Sequence, residues 1–311
     1  MFAFCKNWFS RILSGILLIA AGCNILIANS DSVFLGIFGG VVVVTILAFM
    51  QGRLRYSSFA VFLLFVGNLV LGFINKYGHT RYDKKRGGLA IALNRLDIAF
   101  VLCGAALLVF AVVCVCNWKL GTRVAAWNKK KIVLIVCGAC VALGVIGIIV
   151  LAVTGSSLLT FNDKWGSYRG YIWRKIVEVY GDAPFVNKLF GYGNESVRVT
   201  LKAACYNEMV QVTGKVYDNA HNELLQYLFT TGIVGLLSYL ALVGSSIVYM
   251  FKHAKEHAWI SVCLAATVGY FAQSILNLNQ PITTPLFFVF MAMGVGTVNY
   301  CRRVKELEKR A

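Results

Sequence analysis

Charge is scarce in this sequence. Only 14% of its 311 residues are charged, and acid is scarcer still: 13 aspartates and glutamates stand against 30 lysines and arginines. Soluble proteins average about 25% charged residues, and a soluble helical core of this size would need far more polar faces than occur here. The sequence also lacks an end to its hydrophobic runs, as a lone signal peptide would have. Stretches near 20 apolar residues recur along the whole length, each long enough to cross the hydrocarbon as a helix. Metal-ligand spacing is missing as well. The Cys114/Cys116 pair and the Cys137–Cys140 spacing have no histidine or second cysteine pair to complete them, so these cysteines read as small buried hydrophobes. No cofactor or metal is expected. The formal charge of +17 comes without any nucleic-acid-binding module, which argues against a nucleic-acid partner.

What is present is material for a bilayer. Backbone polar groups in lipid must be satisfied internally, so the expected fold is all-α, a polytopic transmembrane helical bundle of about eight spans. The spans read as 12–29, 33–50, 57–75, 97–117, 132–154, 223–250, 258–276 and 285–300. The run at 223–250 is long enough to tilt, or to begin outside the hydrocarbon. Domain organisation follows: an N-terminal membrane bundle (1–155), an extracytoplasmic loop (156–222), a C-terminal bundle (223–300) and a basic tail (301–311). Arg53 and Arg55, Lys119 and Arg123, Lys129 to Lys131, Lys252 and Lys255, and Arg302 to Arg310 fall on one side. This predicts a multi-pass protein of the cytoplasmic membrane with both termini cytoplasmic. The loop at 76–96 is then outside, although it carries Arg81, Arg86 and Arg95. Basic residues there can face phosphate or pyrophosphate groups, or rest on acidic headgroups.

The polar segment 156–222 holds nearly all the plausible chemistry. Residues 167–180 repeat their apolar positions near helical spacing and include Trp173 and three tyrosines. They predict an amphipathic helix on the outer membrane surface, with Arg169 and Arg174 beside the headgroups. Pro184 ends or redirects it, a glycine turn follows at Gly191-Tyr192-Gly193, and a second short helix runs from about Leu201 to Val212. Asp163, Glu195 and Glu208 read as surface acids, and Glu178 as a partner for a nearby lysine. At the lip of the next span stands His221, flanked by Asp218, Asn222 and Glu223. Histidine exchanges a proton near neutral pH, and guanidinium groups pair with phosphate oxygens through directed hydrogen bonds.

Ala220-His221-Asn222-Glu223-Leu224-Leu225-Gln226-Tyr227-Leu228, followed by Thr231-Gly232-Ile233-Val234-Gly235, resembles the signature of the O-antigen ligase and polymerase superfamily. Tyr168-Arg169-Gly170-Tyr171-Ile172-Trp173 and the turn Leu189-Phe190-Gly191-Tyr192-Gly193 resemble its upstream segments. The resemblance implies an enzyme that transfers or polymerises polyisoprenyl-diphosphate-linked saccharides on the outer face. Glycan or lipid acceptors, membrane lipids and cell-surface polysaccharide assembly proteins would be its partners. It implies His221 and Arg169 as catalytic residues. Arg174, Asn222, Arg81, Arg86 and Arg95 would bind substrate, and Gly232 and Gly235 would allow close helix packing. One departure stands out. The family's arginine-containing step near the outer end of an early span falls here on Asn29-Ser30-Asp31-Ser32, with aspartate in the arginine's place. Two other readings stay open. A transporter or flippase would want buried mid-membrane charge and repeat symmetry, and a non-catalytic family member would keep only the fold.

Overall fold

The computed structural model describes residues 1–4, 7–27, 31–77, 96–125, 162–277, 280 and 282–310. Among these residues every regular element is a helix: α1 (Trp8–Ile27), α2 (Asp31–Met50), α3 (Leu54–Tyr77), α4 (Leu96–Ala125), α5 (Trp165–Gly181), α6 (Phe185–Phe190), α7 (Ser196–Thr213), α8 (Glu223–His253), α9 (Ala258–Ser274) and α10 (Thr284–Arg310). Five segments are long and apolar enough to cross a membrane: Ser32–Met50, Leu54–Ile74, Leu96–Val115, Glu223–His253 and Thr284–Arg310. The chain is therefore an all-α, multi-pass membrane protein. The expected spans at 12–29 and 258–276 correspond to the shorter apolar helices Trp8–Cys23 and Ala258–Ser274. The expected span at 132–154 lies outside the described residues.

The chain divides into two compact units, one of residues 1–133, 247–273 and 286–311, the other of residues 134–246 and 274–285. In the first, α3 packs against α1, α2 and α4. Small residues set the closest approaches. A Cβ on Gly67 would lie 2.0 Å from the Ile19 carbonyl oxygen, and one on Gly22 would lie 2.2 Å from that of Leu64. The Cys23 thiol donates to the Gly67 carbonyl at 3.2 Å. Such contacts let backbones meet where lipid supplies no hydrophobic drive between helices.

The second unit has a core of its own. Tyr171, Ile172 and Ile176 of α5 are buried with Val197, Leu201 and Met209 of α7, Tyr217, Ala220, and Phe229 of α8. The predicted periodicity is present, but α5 turns its apolar face into protein rather than onto lipid. Periodicity cannot tell these apart, since either environment removes the stripe from water. The second helix starts at Ser196, earlier than Leu201. Glu195 takes a left-handed turn (φ 54°), and the Ser196 hydroxyl donates to the Gly193 carbonyl at 2.6 Å.

The long run after His221 is broken. Gly232 adopts φ 68°, ψ −172° inside α8. An unbroken helix would put residues sixteen positions apart about 24 Å from each other along its axis. Instead, the Tyr239 hydroxyl reaches the Glu223 carboxylate, and the Tyr227 and Tyr239 rings stack with centroids 4.1 Å apart. The chain doubles back at Gly232. The remaining stretch, 233–253, is about 31 Å long at helical rise, a match to the hydrocarbon thickness.

Candidate functional site

The site is built by a chain of backbone captures. Gly166, Ser167 and Tyr168 all sit in the left-handed region, at φ 58°, 61° and 71°. Two of them carry a Cβ, which makes this turn strained unless its surroundings hold it. The Tyr217 hydroxyl holds it by donating to the Ser167 carbonyl at 3.0 Å. Gly170 is pressed against the Asn162 carbonyl so closely that a Cβ would lie 2.1 Å from that oxygen. Arg169 thus leaves the turn in a fixed place, half-buried, at the start of the regular part of α5.

His221 is the other strained residue of the site, with φ 48°. The residue before it is gripped at both ends. The Trp173 indole N–H donates to the Ala220 carbonyl at 2.8 Å, and the Ala220 N–H donates to Gln226 Oε1 at 2.9 Å. The His221 N–H donates to Asn219 Oδ1 at 3.0 Å. Asn222 then starts α8: its Oδ1 accepts from the Leu225 N–H at 3.0 Å, the N-cap bond that satisfies one of the helix's orphan donors. Asn222, expected among the substrate-binding residues, here spends its side-chain oxygen on the cap of α8.

Behind this cap the Gly191 turn docks on the broken helix. The Tyr192 and Gly193 N–H groups donate to the Phe229 and Thr230 carbonyls at 3.0 and 2.9 Å, which the interruption at Gly232 leaves open to partners. A Cβ on Gly191 would lie 2.3 Å from Thr230 backbone atoms, and one on Gly232 would lie 2.2 Å from the Leu189 carbonyl oxygen. Gly232 therefore serves a close approach of turn to helix. Gly235 faces the Thr231 side chain of its own helix.

Three charges bear on the histidine. Burial lowers the His221 pKa below 6.5, and the cations Arg169 and then Lys215 lower it further, while Asp218 raises it. The imidazole is thereby kept neutral near pH 7, the form that accepts a proton. Its Nδ1 is buried and makes no hydrogen bond among the described residues, and its ring stands edge-on to Tyr217 at 5.7 Å. Lys215 lies over the other partner of this contact, 4.6 Å from the Tyr217 ring centre. A neutral base beside two cations can take a proton from a hydroxyl while an anionic group is held nearby.

Arg169, His221 and Asn222 are thus brought into one neighbourhood. Arg174 is drawn elsewhere. It makes a two-pronged contact with Asp163, at 3.0 and 2.8 Å, and stands 3.7 Å from Glu178 and 3.8 Å from Glu208. Lys175 joins the same group, 2.8 Å from Glu208 and 3.1 Å from Glu178. Of the acids read as surface residues, Glu208 ties α7 to α5, and Asp163 pairs with α5 from the turn before it. Arg81, Arg86 and Arg95 lie outside the described residues, as do Asn29 and Ser30. Among the described residues no three His, Cys, Asp or Glu side chains gather as metal ligands.

Lys215, Trp173 and Gln226 were not singled out as site residues from sequence. The available signal was spacing: Trp173 stands four residues after Arg169 and so shares its helix face. Residues 86–240 match the family model described as O-antigen ligase, a stretch that holds Arg169, Trp173, Lys215, His221 and Gly232 together. No curated protein matches the chain. The family signature and the polar turn that it covers, set among membrane-crossing helices, lead to one conclusion: the chain belongs to the O-antigen ligase family, with that family's general role in glycan transfer or polymerisation.

Proposed function

We propose that this protein transfers or polymerises a polyisoprenyl-diphosphate-linked saccharide at the outer face of the cytoplasmic membrane, with both chain termini inside. The observation that carries the reading is the neutral, half-buried His221 flanked by Arg169 and Lys215. The acceptor hydroxyl attacks the anomeric carbon of the donor sugar. A carbon–oxygen bond forms to the acceptor, and the bond to the diphosphate oxygen breaks. His221 takes the hydroxyl proton and passes it to solvent. Arg169 and Lys215 stabilise the negative charge arriving on the departing diphosphate. Asn222 acts through the helix cap that fixes the histidine. Arg174 acts through its carboxylate ties, keeping α5 in register, and the basic segment with Arg81, Arg86 and Arg95 adds phosphate contacts. The acceptor is a growing glycan or a lipid-linked end.

The deciding experiment is transfer of a defined diphosphate-linked oligosaccharide in proteoliposomes. His221→Ala and Arg169→Ala should each lose about 100-fold in rate while inserting normally. Transfer preserved in both variants would sink the assigned roles. Product length then separates chain growth from transfer to a foreign acceptor.

A further inference from the structure

The six-residue helix α6 takes no part in the chemistry above, yet it presents a strongly exposed apolar cluster among the described residues of its unit. Phe185 is 73% exposed, Val186 65% and Phe190 62%. At about 100° per residue these three and Leu189 occupy one side of the helix, with Asn187 and Lys188 on the other. The helix is anchored from behind. Tyr180 donates its hydroxyl to the Lys188 carbonyl at 2.5 Å, and Asn187 Nδ2 donates to the Gly191 carbonyl at 3.2 Å. Its apolar side is thus left outward by contacts that hold its backbone, rather than by loose attachment.

Its height is fixed by Gly232. The Leu189–Phe190 backbone lies against this glycine so closely that a Cβ there would fall 2.5 Å from the Phe190 nitrogen. Gly232 is also where the membrane-length stretch 233–253 begins, and its first turns carry the exposed apolar residues Ile233, Val234 and Leu237. A helix pinned at that level, with aromatic residues outward on one side and a lysine on the other, matches the boundary between headgroups and acyl chains. We infer that α6 is an interfacial wedge: Phe185, Val186 and Phe190 insert into the outer edge of the bilayer, and Lys188 meets lipid phosphate. The partner is the phospholipid surface itself. The inference stands apart from the glycan-transfer reading, because it needs no substrate.

A benzophenone amino acid placed singly at positions 185, 186 and 190 of the full chain tests this, in vesicles of phosphatidylethanolamine and phosphatidylglycerol. Illumination should give lipid adducts at least tenfold above those from positions 182 and 187, whatever the enzymatic outcome. Equal lipid labelling at all five positions, or adducts to a second copy of the chain in place of lipid, would overturn the wedge. Three separate surface positions guard against one that disturbs folding.

Discussion

The two units solve the same problem by opposite means. In the first, long helices satisfy their own backbone groups, and what remains is to fit surfaces together. Gly22 against the 64–67 segment of α3 and Gly36 against Gly269, where a Cβ would lie 3.0 Å from the Gly269 oxygen, show this directly. In the second, the chain turns irregularly, and side chains must supply the partners that a helix would have provided. Trp173, Tyr180, Gln226 and Tyr217 all bond to backbone atoms far along the sequence or across a turn. All four non-glycine residues with left-handed φ among the described residues, Ser167, Tyr168, Glu195 and His221, belong to this unit. The comparison teaches where strain can be kept. A stack of membrane helices has few ways to hold a distorted residue, whereas a web of side-chain-to-backbone bonds can.

The largest test of this contrast is backbone crowding. Gly191→Ala and Gly232→Ala should each lower stability by about 3 kcal/mol, because both add a Cβ against backbone and both start from left-handed φ. Denaturant titration in detergent measures it, and a loss below about 1 kcal/mol in both would show that the turn is not needed to hold the helix break. In the first unit, an apolar swap on an exposed residue such as Leu17→Val should cost almost nothing.

Next comes Trp173→Phe, which keeps a ring but removes the donor to Ala220. Transfer should fall about tenfold, or ~1.4 kcal/mol, and stability by about 1 kcal/mol for the Ala220 carbonyl left without its donor. Loss of stability without loss of rate would make Trp173 a core residue only. The pH profile provides a smaller effect with a definite sign. With its pKa below 6.5, His221 keeps its basic form into mild acid, so the acid limb of kcat/KM should lie below that value. Lys215→Gln should move the limb upward and Asp218→Asn should move it downward. Folding follows the same linkage: the unfolded histidine gains a proton near 6.5 while the folded one resists. This stability is full above 6.5 and is lost as pH falls through the folded pKa.

Asn222→Ala should remove about 1 kcal/mol through the lost cap, and Asn222→Asp should restore it. Smallest of all, Asp163→Asn should cost about 0.5 kcal/mol or less, because its pair with Arg174 is exposed and screened by solvent. A salt titration of the unfolding midpoint would show whether the remaining carboxylates compensate.

Much of this was legible in the sequence because hydropathy reports burial whatever provides it. The helical class, the spans at α2, α3 and α4 and the presence of helices in the polar segment all came from that signal. The neighbourhood of Arg169 and His221 came from their motifs, fifty-two residues apart. What hydropathy could not carry is dihedral information. Gly232 sits inside a continuous apolar run, and nothing in the run's composition distinguishes a helix that turns back from one that continues. Nor could an amphipathic stripe say that α5 faces Leu201 and Met209 instead of lipid. Arg174 looked like Arg169 in sequence, since a guanidinium five residues away is no less basic. In the fold, Asp163, Glu178 and Glu208 approach Arg174, whereas Arg169 comes beside His221.

The grip on Ala220 has a consequence for inheritance as well as geometry. Its two captors, Trp173 and Gln226, touch neither proton nor phosphate in the proposed reaction. A search guided by chemical reactivity would pass over both. A saturation-mutagenesis screen that scored surface polysaccharide and protein abundance separately should place them behind His221, with near-normal abundance and reduced output. On the proposed reaction, the genetic footprint of the site would be wider than its chemical one, its extra breadth following the hydrogen bonds that end on one alanine's peptide groups.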